Sequence, residues 1–121
     1  MILVETSIWV DHLRSSDAAL TGLLERGSVL IHPFVIGELA LGVLRQREVI
    51  LGALRNLPVV TVATDDEVLH FIDDGSLAGL GIGYIDVHLL AATRLTEGAS
   101  FWTRDKRLAV VAGRLSLATQ V

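Results

Sequence analysis

The apolar positions of this chain fall into short unbroken runs separated by stretches with a helical period. Ile2, Leu3 and Val4 form the first run, the pattern of a strand buried on both faces. Residues 6–15 follow with Trp9 and Leu13 about one turn apart, which predicts a helix. A second helix is expected over 17–27, ended by Gly27, and then a strand over 28–32, "SVLIH". Pro33 is placed to open the next helix, which carries Glu38 and ends near Gly42. A further helix is expected over roughly 46–56, stopping before Pro58, and "VVTV" at 59–62 reads as another strand. Thr64 and Glu67 have capping-box spacing and start a helix reaching about Asp73. "LAGLGIG", 77–83, reads as a loop and hinge ahead of a helix over 84–96 with Ile85, Leu89 and Ala92 on one face. "ASFWT", 99–103, is a strand, "RDKRLAVVA" a helix and "SLAT" a last strand. This alternation predicts an α/β fold: a three-layer α/β/α sandwich on a central parallel sheet. In such sheets ligands bind beyond the carboxyl ends of the strands.

The chain has 121 residues, which suits one domain over 1–121, and 51% of them are hydrophobic, enough for a real core. Cysteine is absent, which excludes disulfides, thiolate zinc sites and cysteine nucleophiles. No basic stretch precedes the first apolar run, so it does not read as a signal peptide. The longest apolar stretch, "PFVIGELALGVL", is broken by Glu38 and too short to span a bilayer. The expectation is a soluble, cytoplasmic protein with no membrane association.

Net charge is −4, whereas a protein that grips nucleic acid by counterion release alone is ordinarily basic. If the chain acts on a polyanion, something other than net charge must draw the phosphate in. Nine of its ten basic residues are Arg, the exception being Lys106. Arg suits bidentate phosphate contacts, although GC-rich coding bias is the better account of the count.

Most of the fourteen acids have ordinary explanations as exposed or helix-start residues. Asp11 reads as a surface acid. Four are different. Glu5 directly follows a buried strand, and Glu38 is the only charge in an otherwise apolar helix. Asp86 interrupts "IGYIDVHLLAA" near a helix start, and Asp105 follows the strand "ASFWT". Taken singly, Asp86 reads as a first-turn acid and Asp105 as an N-cap. Glu38 fits neither role. Burying one unpaired carboxylate costs several kcal/mol, and four converging carboxylates call for a multivalent cation. Oxygen donors without Cys select Mg²⁺ or Mn²⁺ over zinc. A carboxylate cluster holding such ions serves phosphodiester hydrolysis. Thr6 or Ser7 is placed to orient the attacking or metal-bound water, and Arg14, Arg45, Arg104 and Arg107 to clamp the flanking backbone. His12, His32, His70 and His88 read as structural, and Trp9 and Trp102 as packing residues. The apolar helices between 33 and 57 carry more hydrophobic surface than one sheet face covers, which predicts an interface.

"MILVETSIWVDHLR", "PFVIGELALG", "GIGYIDVHLLAA" and "FWTRDKRL", in this order and spacing, resemble the PIN-domain ribonucleases, and closely the VapC-type toxins of bacterial toxin–antitoxin pairs. The resemblance spans essentially the whole chain. It implies a PIN-like α/β/α sandwich, with the family's acids at Glu5, Glu38, Asp86 and Asp105 as metal ligands and catalytic residues. Its hydroxyl position falls at Ser7, with Thr6 beside it. It further implies a Mg²⁺- or Mn²⁺-dependent endoribonuclease that cuts RNA, often transfer RNA, and so blocks translation. Such proteins usually form homodimers and are held inactive by a VapB-type antitoxin. One residue departs from the pattern: the family normally has Asp where this chain has Glu5. The extra methylene moves the carboxylate by about 1.5 Å, and displacements of about 1 Å cost on the order of 10²-fold in rate. Reduced activity, natural or selected, is the expectation, with a harmless change as the remaining alternative. Two alternatives remain open at this stage. One is a non-catalytic module of the same fold that binds RNA or antitoxin. The other is a receiver-like phospho-acceptor domain using Asp65.

Overall fold

The structure is a computed structural model, and it describes residues 1–120. The first apolar run forms strand β1 (Ile2–Val4), followed by helices α1 (Thr6–Arg14) and α2 (Ala18–Glu25). Strand β2 (Val29–Leu30) leads into α3 (Pro33–Ala40), α4 (Arg47–Arg55) and α5 (Asp65–Asp74). Helix α6 (Tyr84–Leu95), strand β3 (Ser100–Trp102) and helix α7 (Lys106–Arg114) complete the order. The strands make a parallel sheet in the order β2-β1-β3, so the first strand of the chain is the middle of the sheet. Leu3 sits opposite Leu30 on one side and Phe101 on the other, and Val4 opposite Trp102. Helices pack around this sheet as the α/β/α sandwich that the alternation predicts.

Two expected strands are reduced to single parallel bridges, Ile31 with Val59 and Phe101 with Ala118. The reasons are local. Pro58 brings only a carbonyl, which accepts from the Ile31 N–H at 2.9 Å. Thr61 then gives its N–H to the Thr96 hydroxyl at 2.8 Å rather than to a sheet neighbour. At the other edge Ser116 has φ 60°, a left-handed turn conformation that no strand continues.

The helix boundaries follow capping chemistry. Thr64 and Glu67 form the full capping box at the start of α5. Gly27 ends the second helical segment at φ 67°. His32 caps α3, its Nδ1 accepting from the Phe34 N–H at 2.9 Å. That bond needs the neutral ring, and burial, reinforced by nearby His88, lowers the His32 pKa to about 4. His12 likewise accepts from the Asp17 N–H. Both histidines are therefore structural, as expected. Trp9 packs in the core, while half-buried Trp102 lies beneath the Arg104 guanidinium, 5.4 Å from ring centre to Cζ.

The core runs along both sides of β1. It takes in Leu3, Val4, Ile8, Ile31 and Phe101, and α6 threads through it with every residue from Val87 to Thr93 buried. A helix covered on all faces has little freedom to shift, so the side chain at its start is held in place by the packing. The α3–α4 segment is the contrast. Leu41, Val43 and Val49 stand almost wholly or largely exposed there. No helix among the described residues is long and apolar enough to cross a membrane.

Candidate active site

Glu5 and Asp105 reach the same rim because β1 and β3 run parallel and end side by side. The Glu5 N–H donates to the Trp102 carbonyl at 2.9 Å, extending the pairing one residue beyond β1. This delivers Thr103 to Glu5, and the Thr103 hydroxyl donates to Glu5 Oε1 at 2.6 Å. Glu5 is also the N-cap of α1, its carboxylate accepting from the Ser7 N–H at 3.0 Å and from the Ser7 hydroxyl. A Glu in that role, with both oxygens engaged, leaves its residue only 8% exposed.

Asp105 caps α7 through the Leu108 N–H at 3.0 Å, and its own N–H donates to the Thr103 hydroxyl at 3.1 Å. The N-cap reading of Asp105 is thus correct, and it also faces the other acids. Glu38 comes from the middle of α3, where the Thr6 hydroxyl donates to its Oε1 at 2.6 Å. Asp86 lies in the first turn of α6. A Cβ at Gly83, the cap of that helix, would lie 3.7 Å from Asp86 Oδ2, so the carboxylate folds back over the helix start.

Asp86 reports how these groups affect one another. Burial first, and then the negative charges of Glu5, Glu38 and Asp105, push its carboxyl up to about 6. Each of the three other singled-out acids therefore acts on it. No salt bridge among the described residues reaches any of the four. The hydroxyls of Thr6 and Ser7 each hold one of the acids.

The cation nearest in sequence is engaged elsewhere. Arg104 donates to Asp11 at 2.8 Å and to Asp17, which in turn caps α2 through the Leu20 N–H. The Arg104 guanidinium, with that amide, holds the Asp17 carboxyl below the usual carboxylate range. The two carboxylates correspondingly raise the Arg104 pKa. This corrects one expectation: Arg104 is not available as a phosphate clamp. Asp11 is exposed, as expected, and serves there as part of a buttress. Its N–H meets the Ser7 hydroxyl at 3.3 Å, so the pair ties the 103–105 turn to the corner between α1 and α2. Arg104→Ala is expected to change the melting temperature little, because exposed ion pairs contribute little stability. It is expected to lower any activity of the acid cluster several-fold by loosening Thr103 and Asp105. Thermal melts beside activity measurements check both halves.

Sequence reasoning missed Thr103, which bonds Glu5 and Asp105 at once. The available signal was its place, directly after a strand and two residues before a singled-out acid. Asp65 is not part of the cluster. Its side chain is 89% exposed and lies 3.6 Å from His88 Nε2, at the start of a helix that no full strand precedes. That removes the receiver-like alternative.

Whether the donors fit a metal ion is a question of chemistry and of spacing. Four carboxylates flanked by the hydroxyls of Thr6, Ser7 and Thr103 are hard oxygen donors, suited to Mg²⁺ or Mn²⁺. Their mutual repulsion at Asp86 is what a divalent cation relieves. Among the described residues, no three His, Asp or Glu side chains are already gathered tightly enough to hold an ion. The donor chemistry fits such an ion, and the carboxylates stand apart until one gathers them.

A model of the PIN domain family matches residues 2–114. The chain is also 50% identical over 108 residues to Ribonuclease VapC32 of Mycobacterium tuberculosis, in two strains. That alignment covers 89% of this chain and 87% of the relative.

Proposed function

The chain belongs to the PIN-domain family, and from that membership we propose that it is a VapC-type toxin ribonuclease. In this reading it hydrolyses RNA phosphodiester bonds with a divalent cation at the acid cluster. The observation that carries it is the joint action of Glu5, Glu38 and Asp105 on the half-buried carboxyl of Asp86.

Glu5, Glu38, Asp86 and Asp105 would hold the ion. When bound, Mg²⁺ or Mn²⁺ would supply Lewis acidity for phosphodiester hydrolysis, making water more acidic and offsetting the charge that develops on the phosphate. The chain's own groups orient the carboxylates. Ser7 and Thr103 fix Glu5, Thr6 fixes Glu38, and the Leu108 amide fixes Asp105. The Ser7 and Thr6 hydroxyls, which donate to Glu5 and Glu38, are in this reading the groups that would orient an attacking water. With a cation in place the phosphate would meet the metal ion rather than bare carboxylates, so the chain's net charge of −4 does not decide the encounter.

Transfer RNA is the proposed substrate class and a VapB-type antitoxin the proposed partner, in the cytoplasm. Exposed Leu41, Val43 and Val49 support a homodimer or toxin–antitoxin interface on the α3–α4 segment. A monodisperse monomer by light scattering, both alone and with the antitoxin, would remove that part.

Incubation with total RNA and Mn²⁺ tests the function. Cleavage is expected with the metal, absent in EDTA, restored by excess Mn²⁺, and reduced on the order of 10²-fold or more in Asp86→Asn. Cleavage that persists in EDTA, or is undiminished in Asp86→Asn, would point to a contaminating or metal-free nuclease and sink the proposal.

A further inference from the structure

We infer that the cleft along α7 is a nucleotide subsite, which receives one unit of the RNA strand beside the cleaved phosphate. This rests on the ribonuclease reading above. Leu80, Lys106, Arg107, Val110, Val111 and Arg114 line a cleft of about 330 Å³. Three of the six are cations and none is acidic, on a chain with net charge −4. That is the reverse of the acid cluster, and the two adjoin along the chain. Lys106 directly follows Asp105, and Leu80, which also lines the cleft, lies in the loop that leads through Gly83 to Asp86.

The cations have separate tasks. Arg114 is committed to the fold, donating to the Gly75 carbonyl at 2.7 Å and so pinning the start of that loop. Arg107 lies across Gly81, where a Cβ would come within 2.6 Å of its Nη1; Gly81 has φ 75°. Lys106 and Arg107 remain exposed for phosphate. Between them and Arg114 stands Val110, 72% exposed, with the apolar side chains of Leu80 and Val111 beside it. Residues 107, 110, 111 and 114 share one helix face by their spacing. An apolar floor with a cationic rim matches a base lying flat with its phosphate at the edge. The volume is at the small end for ligand sites, which suits one nucleotide rather than a duplex. A peptide partner would leave the unpaired cations without complement unless it were acidic.

The test uses the full chain with Mn²⁺ and a short oligoribonucleotide that it cleaves. Val110→Glu is expected to raise KM about tenfold, with the effect falling on KM rather than kcat. Val110→Lys is expected not to raise it. Placing an abasic nucleotide at each position in turn should find one position that raises KM comparably in the unaltered protein. That same abasic substrate should cost little more in Val110→Glu, because both changes remove one contact. Unchanged KM in Val110→Glu, or fully additive penalties, overturns the subsite while leaving the nuclease reading intact. If neither the unaltered protein nor Glu5→Asp cleaves, the nuclease reading fails by itself. Fluorescence anisotropy of the same oligonucleotide then decides the cleft: equal affinity for the unaltered protein and Val110→Glu overturns it, and weaker binding to the variant supports it.

Discussion

Asp86→Asn is expected to lower RNA cleavage by on the order of 10²–10³-fold and, without metal, to raise the melting temperature. The two effects share one cause. In the folded chain the carboxyl of Asp86 titrates near 6 rather than at 3.8, because burial and three neighbouring acids oppose its charge. Between those two pH values the folded state holds more protons than the unfolded one. Stability therefore falls as pH rises through that window, and the penalty is complete above it. Asn removes the charge and with it the penalty. A tenfold change in proton affinity corresponds to about 1.4 kcal/mol, and screening at a half-buried site leaves on the order of 1–2 kcal/mol. That is a rise of several degrees for a domain of this size.

His32 has the opposite sign. Its folded pKa is lowered to about 4, so its contribution to stability is complete above 6.5 and lost as pH falls towards 4. In the unaltered chain the two groups offset each other on acidification. In Asp86→Asn only the His32 loss remains, so that variant should lose stability more steeply between pH 6.5 and 4. Melts in EDTA at pH 4.5, 5.5 and 7.5 measure this. Adding Mn²⁺ at pH 7.5 should raise the melting temperature of the unaltered protein and not of the variant. A variant less stable than its parent at pH 7.5 would contradict the repulsion argument.

Glu5→Asp is expected to increase cleavage, by up to about 10²-fold. The side chain of Glu5 is long enough to fold over the start of α1 and accept three hydrogen bonds, from the Ser7 amide and from two hydroxyls. Its Oε1 accepts both hydroxyl bonds, leaving that oxygen little capacity for an ion. Asp is the better N-cap and draws the carboxylate back by about 1.5 Å. That frees the Ser7 and Thr103 hydroxyls to face the cluster. Single-turnover cleavage at saturating Mn²⁺ compares the two. Equal rates remove attenuation as an explanation. A slower Asp variant would mean that the surrounding hydroxyls are built for Glu. No cleavage by either would favour the non-catalytic binding module, for which the fully engaged Glu5 is the supporting observation.

What the sequence disclosed depended on how local the cause was. The capping box of Thr64 and Glu67, Pro33 opening α3 and Gly27 closing a helix are decided within a few residues, and all were legible. Glu38 was legible because no local role fits a charge in the middle of an apolar helix. The strands expected at 59–62 and at "SLAT" were overread, because pairing there depends on Thr96 and on the turn at Ser116 rather than on apolar content. The buttress of Arg104 with Asp11 and Asp17 was invisible for a related reason. It joins residues 93 and 87 positions apart, and nothing at either end signals the other.

The central position of β1 has a consequence for synthesis. The strand made first finds one of its neighbours in β3, and Glu5 finds Thr103 98 residues later. Loop closure over that distance precedes any reward from the contact. A growing chain therefore carries Glu5 and Glu38 apart from Asp105 until almost all of the domain has emerged. The acid rim is thus a property of the nearly complete domain, because no shorter stretch of the chain brings Glu5, Glu38 and Asp105 to one edge.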